Sequence, residues 1–185
     1  MGRPELKLPG MALGAVAALA VAAVTAADPV SGKLAFEALQ AGARFTGEFA
    51  RFTADVTFDP ADPAACRFEV GIDTASADTR ESRRDGILKG PDFFWVEQFP
   101  SARYRGSGCR KNAQGYALDG ELTLRGVTRP VALLFSFEPG AKASRMKGSA
   151  SLNRLDFGVG QGEWQSTEWV GNEVVVRFDL TLPRR

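Results

Sequence analysis

The chain has 185 residues, 44% of them hydrophobic and 24% charged, which suits one globular domain and excludes a collagen, a long coiled coil and a wholly disordered chain. It contains no His, and this removes His-based acid–base catalysis, His metal sites and the usual catalytic triads. The 23 basic and 22 acidic residues nearly cancel, so there is no electrostatic footprint for nucleic acid or an anionic membrane, and the expected partner is neutral or apolar.

Residues 1–27 read as a cleaved signal peptide. Arg3 and Lys7 precede the uncharged run MALGAVAALAVAAV at 11–24, and Thr25-Ala26-Ala27 offers small residues for a cut before Asp28. The run is short of the ~20 apolar residues of a membrane-spanning helix; an uncleaved anchor is the alternative. No Cys closes the run and no Arg pair precedes it, which argues against a lipoprotein and against twin-arginine export. Residues 28–185 are then one exported domain, periplasmic if the cell is a bacterium with two membranes.

Beyond residue 33 the dominant period is two, the signature of half-buried strands. Phe45, Gly47 and Phe49 share a face. The phase then slips, and Phe52, Ala54, Val56 and Phe58 share the next, which predicts a bulge or bend at Ala50-Arg51 in one long strand. Asp59-Pro60-Ala61-Asp62-Pro63 is a turn. Further alternating faces are Phe68, Val70, Ile72; Tyr104, Gly106, Gly108; Tyr116, Leu118, Gly120, Leu122, Leu124; Met146, Gly148, Ala150, Leu152; and Val174, Val176, Phe178, Leu180, with 131–137 apolar on both faces. About eight strands at short intervals predict an all-β fold, an antiparallel barrel or sandwich.

Cys66 precedes the predicted strand at 67–73 and Cys109 follows that at 102–108. If these strands pair antiparallel, the two Cys meet, and a disulfide in an exported chain would stabilise it by about 4 kcal/mol in the chain-entropy account. Two buried free thiols are the alternative. Two Cys so far apart, without His, do not make a zinc site, and no metal is expected. Residues 78–99, DTRESRRDGILKGPDFFWVEQF, interrupt the strands. Ile87, Leu88, Phe93, Phe94 and Trp95 fit a helical turn or lid over a barrel mouth.

Catalytic patterns are weak. Ser144-Arg145-Met146-Lys147 matches S-x-x-K but enters a predicted strand and lacks the partner motifs. Gly158-Val159-Gly160-Gln161-Gly162 lacks the spacing and the strand–helix setting of a dinucleotide loop. A hydrolase using Asp85 or Asp156 needs a second carboxylate or a metal that the sequence does not place; Arg84–Asp85 and Arg154–Asp156 read better as structural ion pairs or loop anchors. The chain is expected not to be an enzyme. An eight-stranded barrel holds one small apolar ligand or is filled by side chains. Thirteen Phe favour filling, whereas Gly47, Gly106, Gly108, Gly120, Gly148 and Ala150 favour space.

Six ordered blocks resemble one family. They are Gly42-Ala43-Arg44-Phe45-Thr46-Gly47-Glu48-Phe49 with Phe52; Ile72-Asp73-Thr74-Ala75-Ser76-Ala77-Asp78-Thr79; Arg84-Asp85-Gly86-Ile87-Leu88 through Phe93-Phe94 to Phe99-Pro100; Gly120-Glu121-Leu122-Thr123-Leu124-Arg125-Gly126-Val127-Thr128-Arg129-Pro130-Val131; Asn153-Arg154-Leu155-Asp156-Phe157-Gly158; and Val170-Gly171-Asn172-Glu173-Val174. Together they resemble the YceI-like family of exported polyisoprenoid-binding proteins. The resemblance implies a lipocalin-like, eight-stranded antiparallel barrel whose lumen takes a long isoprenoid, polyprenyl or quinone-like, with no cofactor beyond that lipid. Lumen and lid contacts would come from Phe45, Phe49, Val70, Ile72, Ile87, Leu88, Phe93, Phe94, Leu122, Phe135 and Phe157. Arg84 or Arg154 would hold a polar head group, since Arg suits phosphate. Many members carry His where Ile87 stands; if that His touches a ligand head group, the contact is lost here. The resemblance also implies a possible homodimer and only transient contact with a membrane. The competing reading is an envelope interaction module, linked to a membrane redox complex or a stress response, presenting Trp164 and Trp169 on an exposed patch.

Overall fold

Alternating apolar residues need a second surface to bury their inward face, and here one sheet supplies it by curling on itself. The computed structural model describes residues 29–183; the expected signal peptide at 1–27 lies outside them. The strands are β1 (Ser31–Gln40), β2 (Ala43–Phe49), β3 (Phe52–Thr57), β4 (Arg67–Asp73), β5 (Ala77–Asp78), β6 (Ser101–Ser107), β7 (Arg110–Asn112), β8 (Gly115–Leu124), β9 (Val127–Glu138), β10 (Ala143–Asn153) and β11 (Glu173–Pro183), with one helix, α1 (Ser82–Lys89). The sheet runs β3-β4-β6-β8-β9-β10-β11-β1-β2-β5, every pairing antiparallel.

β2 and β3 are two halves of one bent strand separated by Ala50 and Arg51, so β1, the bent strand, β4, β6, β8, β9, β10 and β11 make the expected eight-stranded barrel. Its seam is joined through the chain rather than by a ladder. The bend restores phase: Phe49 and Phe52, three apart, both face the interior. The 73–76 turn holds it, because Ala50 N donates to Ser76 O, Arg51 N to Ser76 Oγ and Asp73 N to Arg51 O. β1 adds a strand to the predicted set, with Leu34, Phe36 and Ala38 buried in alternation.

β4 and β6 pair with Arg67 opposite Ser107, and this register brings the flanking Cys66 and Cys109 together in a disulfide with Cα atoms 5.7 Å apart. That end of the barrel is solid. The Phe58 ring lies 4.7 Å from Tyr116, 5.2 Å from Phe135 and 4.9 Å from Phe137, and Leu118 and Met146 are fully buried beside them.

Four of the inward glycines make notches rather than space. A Cβ on Gly47 would meet the Phe36 ring at 2.3 Å, on Gly106 Leu118 at 3.0 Å, on Gly120 the Tyr104 hydroxyl at 2.3 Å, and on Gly148 the Phe178 ring at 2.4 Å. Each notch receives a large side chain from the neighbouring strand, so the expectation that these glycines open the lumen is corrected. Gly108 belongs to a turn at φ +79 with nothing near its Cβ position, and Ala150 does face free space.

Candidate functional site

The other half of the barrel is hollow. A cavity of about 180 Å³ lies between Leu34, Phe68 and Leu180 at its inner end and Gln40, Arg84, Trp164 and Val170 at the mouth. Its wall is almost wholly aliphatic and aromatic; the polar side chains on it are Gln40, Thr74, Tyr104, Arg84 and Arg154. Opposite strands supply the lining because inward positions recur every two residues: Phe36 and Ala38 from β1, Val70 and Ile72 from β4, Leu122 and Leu124 from β8, Val174 and Val176 from β11.

Two segments cover the mouth. In the first, α1 starts where the Glu81 carboxylate accepts from Arg83 N and Arg84 N, and ends at Gly90. Its apolar stripe is too narrow to hold it down, with only Leu88 fully buried. A polar latch does more: Thr79 N and Thr79 Oγ1 donate to Asp85 Oδ1 at 2.8 and 2.7 Å. Burial pushes the Asp85 carboxyl up, but the Thr79 hydrogen bonds and the Lys89 and Arg84 charges outweigh it and hold the group below its ordinary value. After α1, Phe93 and Phe94 turn inward and are buried. Trp95 does not join the lid. It sits at φ +47, edge-on to Phe99, with the Arg125 guanidinium over its ring.

The second covering segment, 154–171, is wound around one cation. Arg154 is 3% exposed. Its Nε donates to Gly171 O, Nη1 to Val159 O, and Nη2 to Val170 O and Ser166 O. Burial lowers its pKa. The Gly-rich run exists to let this loop close: Gly160 has φ +98, and any Cβ there would fall 1.9 Å from Arg154 Nη1. The two covers are stitched together by Gly160 N and Gln161 N donating to Asp92 O, and by the Phe93 and Trp164 rings 5.5 Å apart.

Nine of the eleven expected apolar contacts line the cavity: Phe45, Phe49, Val70, Ile72, Ile87, Leu88, Phe93, Phe94 and Leu122. Phe135 and Phe157 do not. Phe135 stands in the solid aromatic end, stacked on Tyr116, and Phe157 is 1% exposed in the turn after β10, where it packs the core. Of the two cations, Arg154 touches the wall but gives four of its five N–H donors to loop carbonyls, which argues against a head-group role for it. Arg84 lines the cavity with 21% of its side chain exposed, its Cζ 4.4 Å from the Phe45 ring centroid. Its Nε is buried without a hydrogen-bond partner, and its nearest acid is Glu81 at 3.8 Å. Neither Arg–Asp ion pair forms; Asp85 and Arg154 instead act as loop anchors, on Thr79 and on the 159–171 carbonyls. Adjacent residues on a helix diverge by about 100°, which sends Asp85 to Thr79, and Asp156 is exposed. Trp164 packs on the cavity wall, whereas Trp169 is 66% exposed beside the exposed Leu39.

Among the described residues no three or more Cys, Asp or Glu side chains are grouped to hold a metal ion, and no helix is long and apolar enough to cross a membrane. The sequence reading missed Leu34, Phe36, Ala102, Val159 and Val174 on the wall; alternation marks the strand positions among them, but Val159 belongs to a loop whose fold depends on Arg154.

The chain resembles known proteins at two levels. It is 44% identical over 87 residues to UPF0312 proteins of Yersinia pestis and Yersinia pseudotuberculosis, a stretch covering 47% of this chain and 45% of those relatives, so the match spans about half their length. The crystal structure of BcnA from Burkholderia cenocepacia superposes with a TM-score of 0.78 at 28% identity, over 81% of this chain and 95% of that one. A polyisoprenoid-binding domain from Saccharophagus degradans shares the fold, with a TM-score of 0.60 at 15% identity over 86% of this chain and 97% of that one. A family profile, the YceI-like domain, matches residues 26–182, and the chain belongs to that family.

Proposed function

We propose that this chain is a non-catalytic carrier or store for an isoprenoid or similar long-chain lipid, exported to the periplasm, which holds the apolar chain in the barrel and the polar head near Arg84. The observation that carries the reading is the cavity of about 180 Å³ with an apolar wall and the Arg84 guanidinium at its mouth. Burying ten carbons there contributes roughly 8 kcal/mol gross at about 0.8 kcal/mol each, less the cost of ordering a flexible chain. Binding of this kind needs no reacting group. The name of the Saccharophagus degradans neighbour and the family match support the same ligand class. The Arg84 guanidinium at the mouth favours an anionic or strongly accepting head, because a charge-assisted hydrogen bond is stronger than a neutral one.

The test is native mass spectrometry, with organic extraction, of protein purified from an exporting host. A bound mass of an isoprenoid or other long-chain lipid is expected. A clean apo mass, with no uptake after incubation with prenyl lipids, overturns the reading. It would favour the interaction module, for which the exposed Trp169 and Leu39 are the supporting residues.

A further inference from the structure

The interior of this barrel is divided into two zones, and the division sets a length. At the solid end Phe58, Tyr116, Phe135 and Phe137 interlock around buried Leu118 and Met146. The boundary layer is traceable across the sheet. Ala54 stands opposite Val70, Val70 opposite Tyr104, and Tyr104 opposite Leu122; all four still line the cavity. One layer deeper, Val56 stands opposite Phe68 and Phe68 opposite Gly106, itself opposite Gly120. There the Phe68 ring leans on Phe135 at 5.4 Å, and the Tyr104 hydroxyl drops into the Gly120 notch and donates to Val131 O at 3.1 Å. Phe68 and Tyr104 therefore form a floor on the β4–β6 side, the first braced by the aromatic cluster and the second by a hydrogen bond; on the other side the cavity stops at Leu133 and Leu180, which stand opposite Leu118 and Met146.

The depth above the floor follows from the strands. From Leu34 to Gln40 on β1 is six steps, about 20 Å at the strand rise, or about 15 Å along the axis of a barrel tilted by about 40°. That is about half the ~30 Å hydrocarbon core of a bilayer. The volume is the stricter measure: about 180 Å³ is close to the ~150 Å³ of an apolar cavity that holds one benzene, so a longer tail must displace lining side chains along the depth. The depth, about half a bilayer core, sets the upper bound at a tail of about 10 to 20 carbons. We propose that the Phe68–Tyr104 floor makes this protein selective for short prenyl tails of two to four isoprene units, and that longer polyprenyl chains gain nothing from their added carbons. This rests on the lipid-binding reading above and sharpens its ligand class.

The experiment titrates the full domain with prenyl alcohols of ten, fifteen, twenty and forty carbons, read by fluorescence of Trp164 on the cavity wall. Affinity is expected to rise at least tenfold from ten to fifteen carbons, and the forty-carbon alcohol to bind no more than fivefold tighter than the twenty-carbon one. A forty-carbon alcohol more than fivefold tighter overturns the length limit while leaving lipid binding standing. Binding of none of the four overturns the lipid-binding reading itself, and the limit with it. Phe68→Ala is expected to shift the forty-to-twenty affinity ratio at least fivefold toward the longer chain, and an unchanged ratio in the folded variant overturns the floor. Ala54→Leu adds bulk at a half-buried site in the boundary layer and removes no packing. It is expected to weaken the fifteen- and twenty-carbon alcohols at least fivefold while the ten-carbon one stays within twofold; equal weakening of all three overturns the assignment.

Discussion

The Arg84 guanidinium lies over the Phe45 ring, Cζ 4.4 Å from its centroid, with Nε buried and unpartnered. This contact joins the one available cation of the cavity wall to the first aromatic residue of β2. It holds a charge at the boundary between lumen and solvent without neutralising it, since a ring face attracts a cation by about 0.5–2 kcal/mol and leaves its N–H donors free. Arg84→Ala is expected to weaken a prenyl phosphate about tenfold, roughly the 1.4 kcal/mol of one charge-assisted hydrogen bond, while the corresponding prenyl alcohol stays within about threefold. Fluorescence titration of both ligands checks this. Equal loss on both would assign Arg84 to packing.

Arg154 is expected to behave in the opposite way. Its four hydrogen bonds reach Val159, Ser166, Val170 and Gly171, so Arg154→Met leaves several carbonyls without donors at a cost of about 3–5 kcal/mol. Thermal unfolding should show a fall of about 6–20 °C for a domain of this size. Gly160→Ala should reproduce part of that fall, because φ +98 and the Arg154 contact both reject a Cβ.

Reduction of the Cys66–Cys109 disulfide should lower stability by about 4 kcal/mol in the chain-entropy account. The bridge lies at the solid end, remote from Arg84 and the lid. Ligand affinity measured well below the unfolding temperature should therefore be unchanged in the Cys66→Ser/Cys109→Ser double variant, and denaturant unfolding should carry the whole effect.

Acid should loosen the lid. Asp85 is held below its ordinary value by the Thr79 hydrogen bonds and nearby cations, against the upward push of burial. A carboxylate depressed in the folded state stabilises it above the unfolded value of about 3.9, and that contribution disappears as pH falls through the lower folded value. Asp73 and Asp179, bonded to Arg51 and Arg145, are depressed in the same direction. Total stability should thus fall below about pH 4. Asp85→Asn should be less stable than the parent at pH 7 and converge toward it below that range; unfolding midpoints across the series, with proteolysis at the 80–90 segment, measure this. A constant gap at all pH values would show that the Asp85 charge is not what holds α1.

Period two was legible in the residues, and it determined the strands, their inward faces and the bend where Phe49 and Phe52 break phase, because a side chain on a strand can face only one of two ways. The same local rule put Phe45, Phe49, Val70, Ile72 and Leu122 on inward faces, whereas Ile87, Leu88, Phe93 and Phe94 of the cover came from the aromatic break in the pattern and from the family resemblance; antiparallel pairing of two predicted strands was enough to bring Cys66 to Cys109. Whether inward means toward empty space was not a local property. Gly47, Gly106, Gly120 and Gly148 read as room, yet each is filled by a side chain of the neighbouring strand: Phe36, Leu118, Tyr104 and Phe178. Phe135 and Val131 share a face of β9, and only the stacking of Phe58, Tyr116 and Phe137 against Phe135 put one in the solid end and the other on the cavity wall. The two cations were equivalent as residues. Tertiary structure separated them, because a guanidinium surrounded by carbonyls is a staple, and the one lying on the Phe45 ring at the mouth is the one left for the proposed head-group role.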